Sequence, residues 1–352
     1  MVRLNSHRIP VVVLLAAFAS AVALGQAPSP ARATVLGTGA FTAFVENMDR
    51  SLAFYHDAFG MEVPDLPATG ERQYNPANSQ LFDMFDIAGA KERHQSARIT
   101  GTRVTVELME IQNVPHQTIN LRMQDPGNAT LVLVVRDVDA AFARATQAKA
   151  TVETPGGKPV AFADGTRSIL IRDIDGRFIE LRQPPFASVS ASSTPPGEIF
   201  DMGFRITVND MNETRRVYRD VLGFNVEDET VSNMMRTLTG IQTSQQILQS
   251  RMQAPGSTLW IELVEFKGVD RTPLRMRIQD RGAARLQLRV QDVDAAVAAM
   301  KAAGFKVMSA GGVAVPIPPN LKGALVADPN YFFLTPYAPC TGCAPTVGPP
   351  AR

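Results

Sequence analysis

An internal repeat constrains this chain more than any other feature. The stretch Ala40-Phe-Thr-Ala-Phe-Val-Glu-Asn-Met-Asp-Arg-Ser-Leu-Ala-Phe-Tyr-His-Asp-Ala-Phe-Gly60 aligns with Gly203-Phe-Arg-Ile-Thr-Val-Asn-Asp-Met-Asn-Glu-Thr-Arg-Arg-Val-Tyr-Arg-Asp-Val-Leu-Gly223 at a constant offset of 163. Val45, Met48, Tyr55, Asp57 and Gly60 recur as Val208, Met211, Tyr218, Asp220 and Gly223. Further along, Arg122-Met-Gln-Asp125 matches Arg277-Ile-Gln-Asp280, and Asp137-Val-Asp-Ala-Ala141 matches Asp292-Val-Asp-Ala-Ala296, now at an offset of 155. A repeat of this length sets the architecture before any motif is considered. It divides the chain into a module over residues 36–184 and another over 199–338, joined by a Pro/Ser-rich linker at 185–198 and followed by a Pro-rich tail at 339–352.

Each module contains a weaker repeat of strand, helix and strands. Residues 40–45 form an apolar β-type run, Asp49 is a helix N-cap candidate, and Leu52, Phe54, Tyr55 and Phe59 share one face of a helix that Gly60 stops. Ile99 to Val106, running on to Ile111, reads as strand. In the second half Leu131–Val135 is a strand and Asp137 caps a helix through Ala150. Val160–Phe162 and Ser168–Ile171 follow as strands, then Asp175-Gly176 as a hairpin turn before Arg177–Leu181. The pattern βαβββ thus occurs four times, an α+β chain.

Charge and the termini bound the function. Lys+Arg number 35 against Asp+Glu 34, a net charge of +1, so there is no excess positive charge for a phosphate backbone and nucleic acid is excluded as an expected partner. Arg3 and Arg8 precede an apolar run from Pro10 to Leu24 that ends in small residues, as a secretory signal peptide does, with cleavage after Gly25. The run falls short of the roughly 18 apolar residues that read as a membrane span. The expectation is an exported protein, periplasmic or extracellular, with no membrane attachment once residues 1–25 are removed. Cys340 and Cys343, the only cysteines, suit a small local disulfide in an oxidising compartment. No haem link, redox CxxC setting, catalytic Ser/His/Asp set or dinucleotide fingerprint accompanies them.

These motifs resemble the vicinal oxygen chelate superfamily, the glyoxalase, bleomycin resistance protein and extradiol dioxygenase type, which also includes methylmalonyl-CoA epimerase and fosfomycin-modifying enzymes. The resemblance rests on Phe44-Val-Glu-Asn-Met-Asp-Arg-Ser-Leu-Ala-Phe-Tyr-His-Asp-Ala-Phe-Gly-Met-Glu62, on Val135-Arg-Asp-Val-Asp-Ala-Ala141 and on Arg172-Asp-Ile-Asp-Gly-Arg-Phe-Ile-Glu-Leu181, with counterparts in the second module. It implies a glyoxalase-like fold of two cupped mixed sheets, each made of paired βαβββ units, with a ligand on the concave face. Metal-dependent relatives hold their ion with four side chains from four strands, His, Gln or Glu early in each half and Glu late in each half.

Carried over residue by residue, those positions are Ala40, Glu107, Thr130 and Glu180 in the first module and Gly203, Glu262, Arg285 and Thr335 in the second. Both acids of the first module are kept, but both early donors are replaced, so no complete metal set is expected; Glu107 and Glu180 remain weak ligand candidates. As a pair inside an apolar cup, Glu107 and Glu180 are candidates for proton transfer of lyase or isomerase type. The alternative has one of them paired with Arg172 or Arg182 and the other facing solvent. In the second module strand alternation places Gly203, Arg205 and Thr207 on one face and Arg285, Gln287 and Arg289 on another, with Trp260 beside Glu262. Arg205, Arg285, Arg289, Glu262 and Trp260, with Ala40 and Thr130, are therefore candidate ligand-binding residues, unless the arginines and acids form a network that satisfies itself. His56 is expected on the polar face of the first helix, His94 and His116 in connecting segments, and Tyr55 and Tyr218 in the core.

Two functions stay open: an exported enzyme acting on a small organic molecule in its first cup, and a metal-free binding or sequestration protein. The chain is expected as a two-module monomer or a homodimer. Which halves pair into each cup is also open. If the first pairs with the fourth, Glu107 shares a cup with Thr335 instead of Glu180.

Overall fold

The structure is a computed structural model that describes residues 32–65, 73–74, 81–102, 104–117, 119–185, 198–317, 319–341 and 343. The expected signal peptide, most of the linker and the end of the tail lie outside these residues. Ala31–Arg352 form one compact unit.

The first quarter comprises β1 (Val35–Val45), α1 (Met48–Phe59), a short α2 (Leu81–Phe85), β2 (Lys91–Arg98) and β3 (Thr105–Gln112). The second comprises β4 (Ala129–Val135), α3 (Val138–Gln147), β5 (Thr151–Val152), β6 (Val160–Ala161), β7 (Arg167–Arg172) and β8 (Phe178–Gln183). The third runs through β9 (Ile199–Thr207), α4 (Met211–Asp220), β10 (Asn225–Val226), β11 (Thr230–Val231), α5 (Asn233–Thr239), β12 (Ile247–Gln253) and β13 (Trp260–Phe266). The fourth has β14 (Ala284–Val290), α6 (Val293–Ala302), β15 (Lys306–Val307), β16 (Val315–Ile317), β17 (Leu321–Gly323), β18 (Val326–Ala327) and β19 (Phe333–Pro339).

Local differences from the sequence expectations have local causes. Asn47, not Asp49, caps α1: Asn47 is extended at φ −143° and its side chain accepts from the Arg50 N–H, leaving Asp49 in the first turn, where its charge suits the helix dipole. Gly60 ends α1 at φ 64°, as expected of a C-terminal glycine. The run from Ile99 is not continuous strand, because Gly101 at φ 74° turns the chain between β2 and β3, which pair antiparallel from Lys91–Gln112 to Arg98–Thr105. The helix after Asp137 ends at Gln147, since Lys149 adopts φ 76°. Neither α2 nor α5 has the length to show a helical period in the sequence, and both were missed.

The strand order answers the pairing question. One sheet runs β15-β18-β19-β14-β1-β3-β2, with β16 and β17 beside it, and so joins the first quarter to the fourth. The other runs β10-β12-β13-β9-β4-β8-β7-β5, with β11 and β6 beside it, and joins the second to the third. We call them the outer and inner sheets. The modules are therefore units of sequence that exchange their strands, while their longer helices, α1, α3, α4 and α6, stay with their own module. Thus α1 packs on α3, whereas the short α2 and α5 reach across to β16 and β7 of the other module, and Tyr55 donates to Asp173 at 3.3 Å as Tyr218 donates to Asp328 at 3.1 Å.

Period-two alternation assigns the faces. Phe41, Ala43 and Val45 of β1 and Phe204 and Ile206 of β9 join the helices in one core, where Phe41 and Phe204 meet across the two sheets at 4.9 Å. The opposite, concave faces carry Phe44, Met109, Phe178 and Val264, closed over by Phe82, Met84 and Phe85 of α2 and by Met235 and Leu238 of α5 in a second apolar cluster. Among the described residues no helix is long and apolar enough to cross a membrane.

Candidate functional site

Each concave face gathers side chains from four central strands, and the two repeat offsets make the cups directly comparable. In the inner cup β9 supplies Arg205, β13 supplies Glu262 beside it, β4 supplies Thr130 opposite it, and β8 supplies Glu180 and Arg182. In the outer cup the equivalent places on β1, β3, β14 and β19 hold Thr42, Glu107, Arg285 and Thr335.

The inner cup is a closed ionic network. Arg205 Nη2 donates to Oε2 of both Glu180 and Glu262 at 2.6 Å. Arg182 donates from Nε to Glu180 Oε1 at 2.8 Å and from Nη1 to Glu262 Oε1 at 2.7 Å. Ser168 adds a bond to Glu180 at 2.7 Å. The side chains of Arg205 and Glu180 are both 0% exposed. Burial pushes both carboxyls up, but Arg182 and Arg205 outweigh it and hold Glu180 far below, and Glu262 below, the usual carboxylate range. Two arginines and two acids neutralise one another, so neither acid is available as a proton carrier. Trp260 is locked as well: its indole donates to Asp201 at 2.8 Å, and its ring lies under the guanidiniums of Arg182 at 5.6 Å and Arg251 at 4.7 Å.

The outer cup is built differently. Glu107 Oε2 accepts from Thr42 at 2.5 Å and from Arg285 and Gln287 at 3.2 Å each. Its side chain is 14% exposed, against 0% for Glu180. Burial raises the Glu107 pKa, but Arg285, the Thr42 bond and His94 bring it below the ordinary value, so it is a carboxylate at neutral pH. Arg285 is fixed between aromatic rings, with Phe85 at 5.1 Å and Phe44 at 6.0 Å. His94 stands at the rim, 45% exposed and accepting or donating to Glu92 at 2.9 Å, a bond that raises its pKa.

This geometry separates residues that the sequence had grouped. Glu107 and Glu180 lie in different sheets, so they are not a carboxylate pair; the strand exchange is the reason. Arg205, Trp260 and Glu262 belong to the inner cup, whereas Arg285 and Arg289 belong to the outer one, so no single cup holds three of the named arginines. The inner residues form a self-satisfied network, and Glu180 pairs with Arg182. Arg289 is exposed and donates to the Leu36 carbonyl at 3.2 Å. Ala40 is half-buried on β1, and Thr130 is buried and directed at the Met123 sulfur at 3.6 Å. His94 sits on β2 and not in a connecting segment, whereas His116 does lie in one, bonded to the Gln279 carbonyl at 2.7 Å. Sequence reasoning missed Thr42, although the offset of 163 that pairs Ala40 with Gly203 also pairs Thr42 with Arg205.

The residues do not fit a resident metal. In the inner cup a guanidinium nitrogen already stands between the two carboxylates, and the outer cup offers one carboxylate beside Arg285. Among the described residues no group of three or more His, Cys, Asp or Glu is arranged to hold an ion.

The Glyoxalase/Bleomycin resistance protein/Dioxygenase superfamily model matches residues 37–181 and 202–312. Among solved structures, the chain is similar to glyoxalase I from Zea mays, with 18% identity, a TM-score of 0.57, and coverage of 87% of this chain and 92% of that one. It is also similar to a putative dioxygenase from Bacillus subtilis, with 11% identity, a TM-score of 0.50, and coverage of 89% and 88%. These likenesses concern the fold. No curated protein matches the sequence.

Proposed function

Because the chain belongs to the Glyoxalase/Bleomycin resistance protein/Dioxygenase superfamily, we propose that it is an exported, metal-free protein that binds a small neutral organic molecule in its outer cup. The observation that carries this reading is Glu107: a partly exposed carboxylate with three donors on Oε2 and no hydrogen bond to Oε1 among the described residues. Such a group accepts a ligand hydroxyl or N–H, while Phe44, Phe85 and Phe333 supply apolar and aromatic walls. The charges of Glu107 and Arg285 cancel, which favours an uncharged ligand. Both halves of the cup come from one chain, so the site needs no second copy. The apolar N-terminal run and the Cys340–Cys343 disulfide support an oxidising, exported setting.

A panel of neutral phenols, enols and aromatic amides, read by thermal shift and calorimetry on residues 26–352, tests the reading. Binding by the native protein that weakens roughly tenfold or more in Glu107→Gln, the cost of about 1.4 kcal/mol or more expected of a charged hydrogen bond, supports it. Binding unchanged by that substitution removes it.

One observation favours a second reading, proton transfer of lyase or isomerase type. His94 and Glu107 face the same side of adjacent strands, diagonal to one another, since Ser96 lies opposite Glu107 and Met109 opposite His94. A bell-shaped pH dependence of turnover whose one limb is lost in His94→Gln would support it.

A further inference from the structure

We propose that the outer cup reads an aromatic lactam or carboxamide, with Glu107 accepting the ligand N–H while Arg285 and the hydroxyl of Thr335 donate to its carbonyl. The inference rests on the function proposed above and narrows it to one chemical class.

Three observations carry it. First, Thr335 shares the concave face of β19 with Phe333 and is 3% exposed, yet its Oγ1 is buried without a hydrogen-bond partner among the described residues. A buried hydroxyl left unbonded is costly, and a ligand that bonds to it removes that cost. Second, the other polar atoms left over in the cup are of two complementary kinds. Glu107 carries three donors on Oε2 and none on Oε1, and as a carboxylate it can only accept. Arg285 donates from Nε to Thr42 and from Nη2 to Glu107, and makes no hydrogen bond through Nη1 among the described residues; a guanidinium can only donate. A ligand that satisfies both must offer a donor to Glu107 and an acceptor to Arg285 and Thr335. One amide group does so while staying neutral. A carboxylate ligand would meet Glu107 and an ammonium would meet Arg285, each with its own sign of charge.

Third, the inner cup shows how near these positions stand to one another. Glu262 and Glu180, the equivalents of Glu107 and Thr335 at the offset of 155, both reach one nitrogen of Arg205 at 2.6 Å. In the outer cup Thr42 replaces that arginine and Thr335 replaces Glu180, so two long side chains give way to two short ones. The one long side chain gained, Arg285, is held against Thr42 and Glu107 and beside the rings of Phe44 and Phe85. With Phe333 these rings favour a flat, conjugated ligand.

The test uses residues 26–352 as native protein, Thr335→Val, Thr335→Ser and Glu107→Gln, with three neutral probes read by calorimetry. 2-Quinolinone has both N–H and C=O, N-methyl-2-quinolinone keeps only the C=O, and indole keeps only the N–H. The native protein should bind 2-quinolinone roughly tenfold or more tighter than either partial probe. Thr335→Val should weaken 2-quinolinone roughly tenfold and indole much less, and Thr335→Ser should restore the native affinity. Without ligand, Thr335→Val should unfold at or above the native Tm, because the hydroxyl it lacks had no bond to lose. A lower Tm shows that the hydroxyl has an internal partner and overturns the proposal. Equal binding of 2-quinolinone and indole overturns it too, as does a 2-quinolinone affinity that Thr335→Val leaves unmoved. If indole binds and weakens in Glu107→Gln while the carbonyl adds nothing, this inference alone fails. If no probe binds, or none responds to Glu107→Gln, the function proposed above fails with it.

Discussion

The outer and inner cups use equivalent positions on equivalent strands and differ in the number of acids they hold. Thr42, Glu107, Arg285 and Thr335 of the outer cup correspond to Arg205, Glu262, Thr130 and Glu180 of the inner one. Each set therefore contains one arginine, but on opposite halves. At these four positions the outer cup has one acid, balanced by Arg285, while Glu92 on the same face of β2 pairs with His94. The inner cup has two, and balancing them recruits a second arginine, Arg182, where the outer cup has Tyr337. With the extra pair comes full burial of Glu180 and Arg205. Charge parity, not fold, thus distinguishes the two cups, and on the function proposed above the outer one is the ligand site and the inner one an ionic lock.

The largest expected effect tests that division. Glu180→Gln leaves Arg205 and Arg182 buried with half their compensation, and should lower the free energy of unfolding by about 3–5 kcal/mol in urea titrations. Glu107→Gln should cost only about 1–2 kcal/mol, because Gln still accepts from Thr42 and Arg285 keeps its aromatic contacts. Equal costs would break the contrast between a lock and a site.

Next in size is a difference in pH response. Burial pushes Asp328, on the outer side, from 3.8 up to about 6. Between those values the folded chain holds a proton that the unfolded chain releases, so this contribution to stability is complete below about pH 4 and is lost as pH rises through about 6. A shift of this size corresponds to at most about 3 kcal/mol. The inner acids behave oppositely: Glu180 and Glu262 are lowered, so their contribution is present above the ordinary carboxylate range and disappears only in stronger acid. Urea midpoints between pH 5 and 7 should therefore fall less steeply in Asp328→Asn, with Asp173, which burial also raises to about 6, keeping the remaining slope, and stay parallel to the native curve in Glu180→Gln. A parallel shift in both variants would remove Asp328 from the account.

Much of this was legible in the sequence, for identifiable reasons. The repeat, the helix stop at Gly60 and the apolar run of β4 are local signals, and the resemblance they carry put Glu107 and Glu180 in cup positions. Pairing of the quarters is not local. Nothing in Glu107 or Glu180 tells whether the intervening strands close on their own module or on the other, and that topological choice dissolved the expected carboxylate pair. The ionic network was visible only as an alternative, since Arg182 and Arg205 are separated by the linker and meet through β4 and β9. The covers α2 and α5 were invisible because five and seven residues do not establish a period.

The smallest expected effect concerns how tightly each cup is filled. Gly203 and Ala40 are equivalent, and only the inner position excludes a methyl group: a Cβ on Gly203 would stand 2.3 Å from the Trp260 indole. That indole cannot retreat easily, being bonded to Asp201 and covered by Arg182 and Arg251. Gly203→Ala should then cost about 1–3 kcal/mol as an overpacked contact and alter the fluorescence of the single tryptophan. Ala40→Gly, which only loosens an outer strand, should cost about 0.5–1 kcal/mol. A Gly203→Ala protein with native stability and native emission would mean that Trp260 has room to move, and the inner cup would then be a soft cavity instead of a lock.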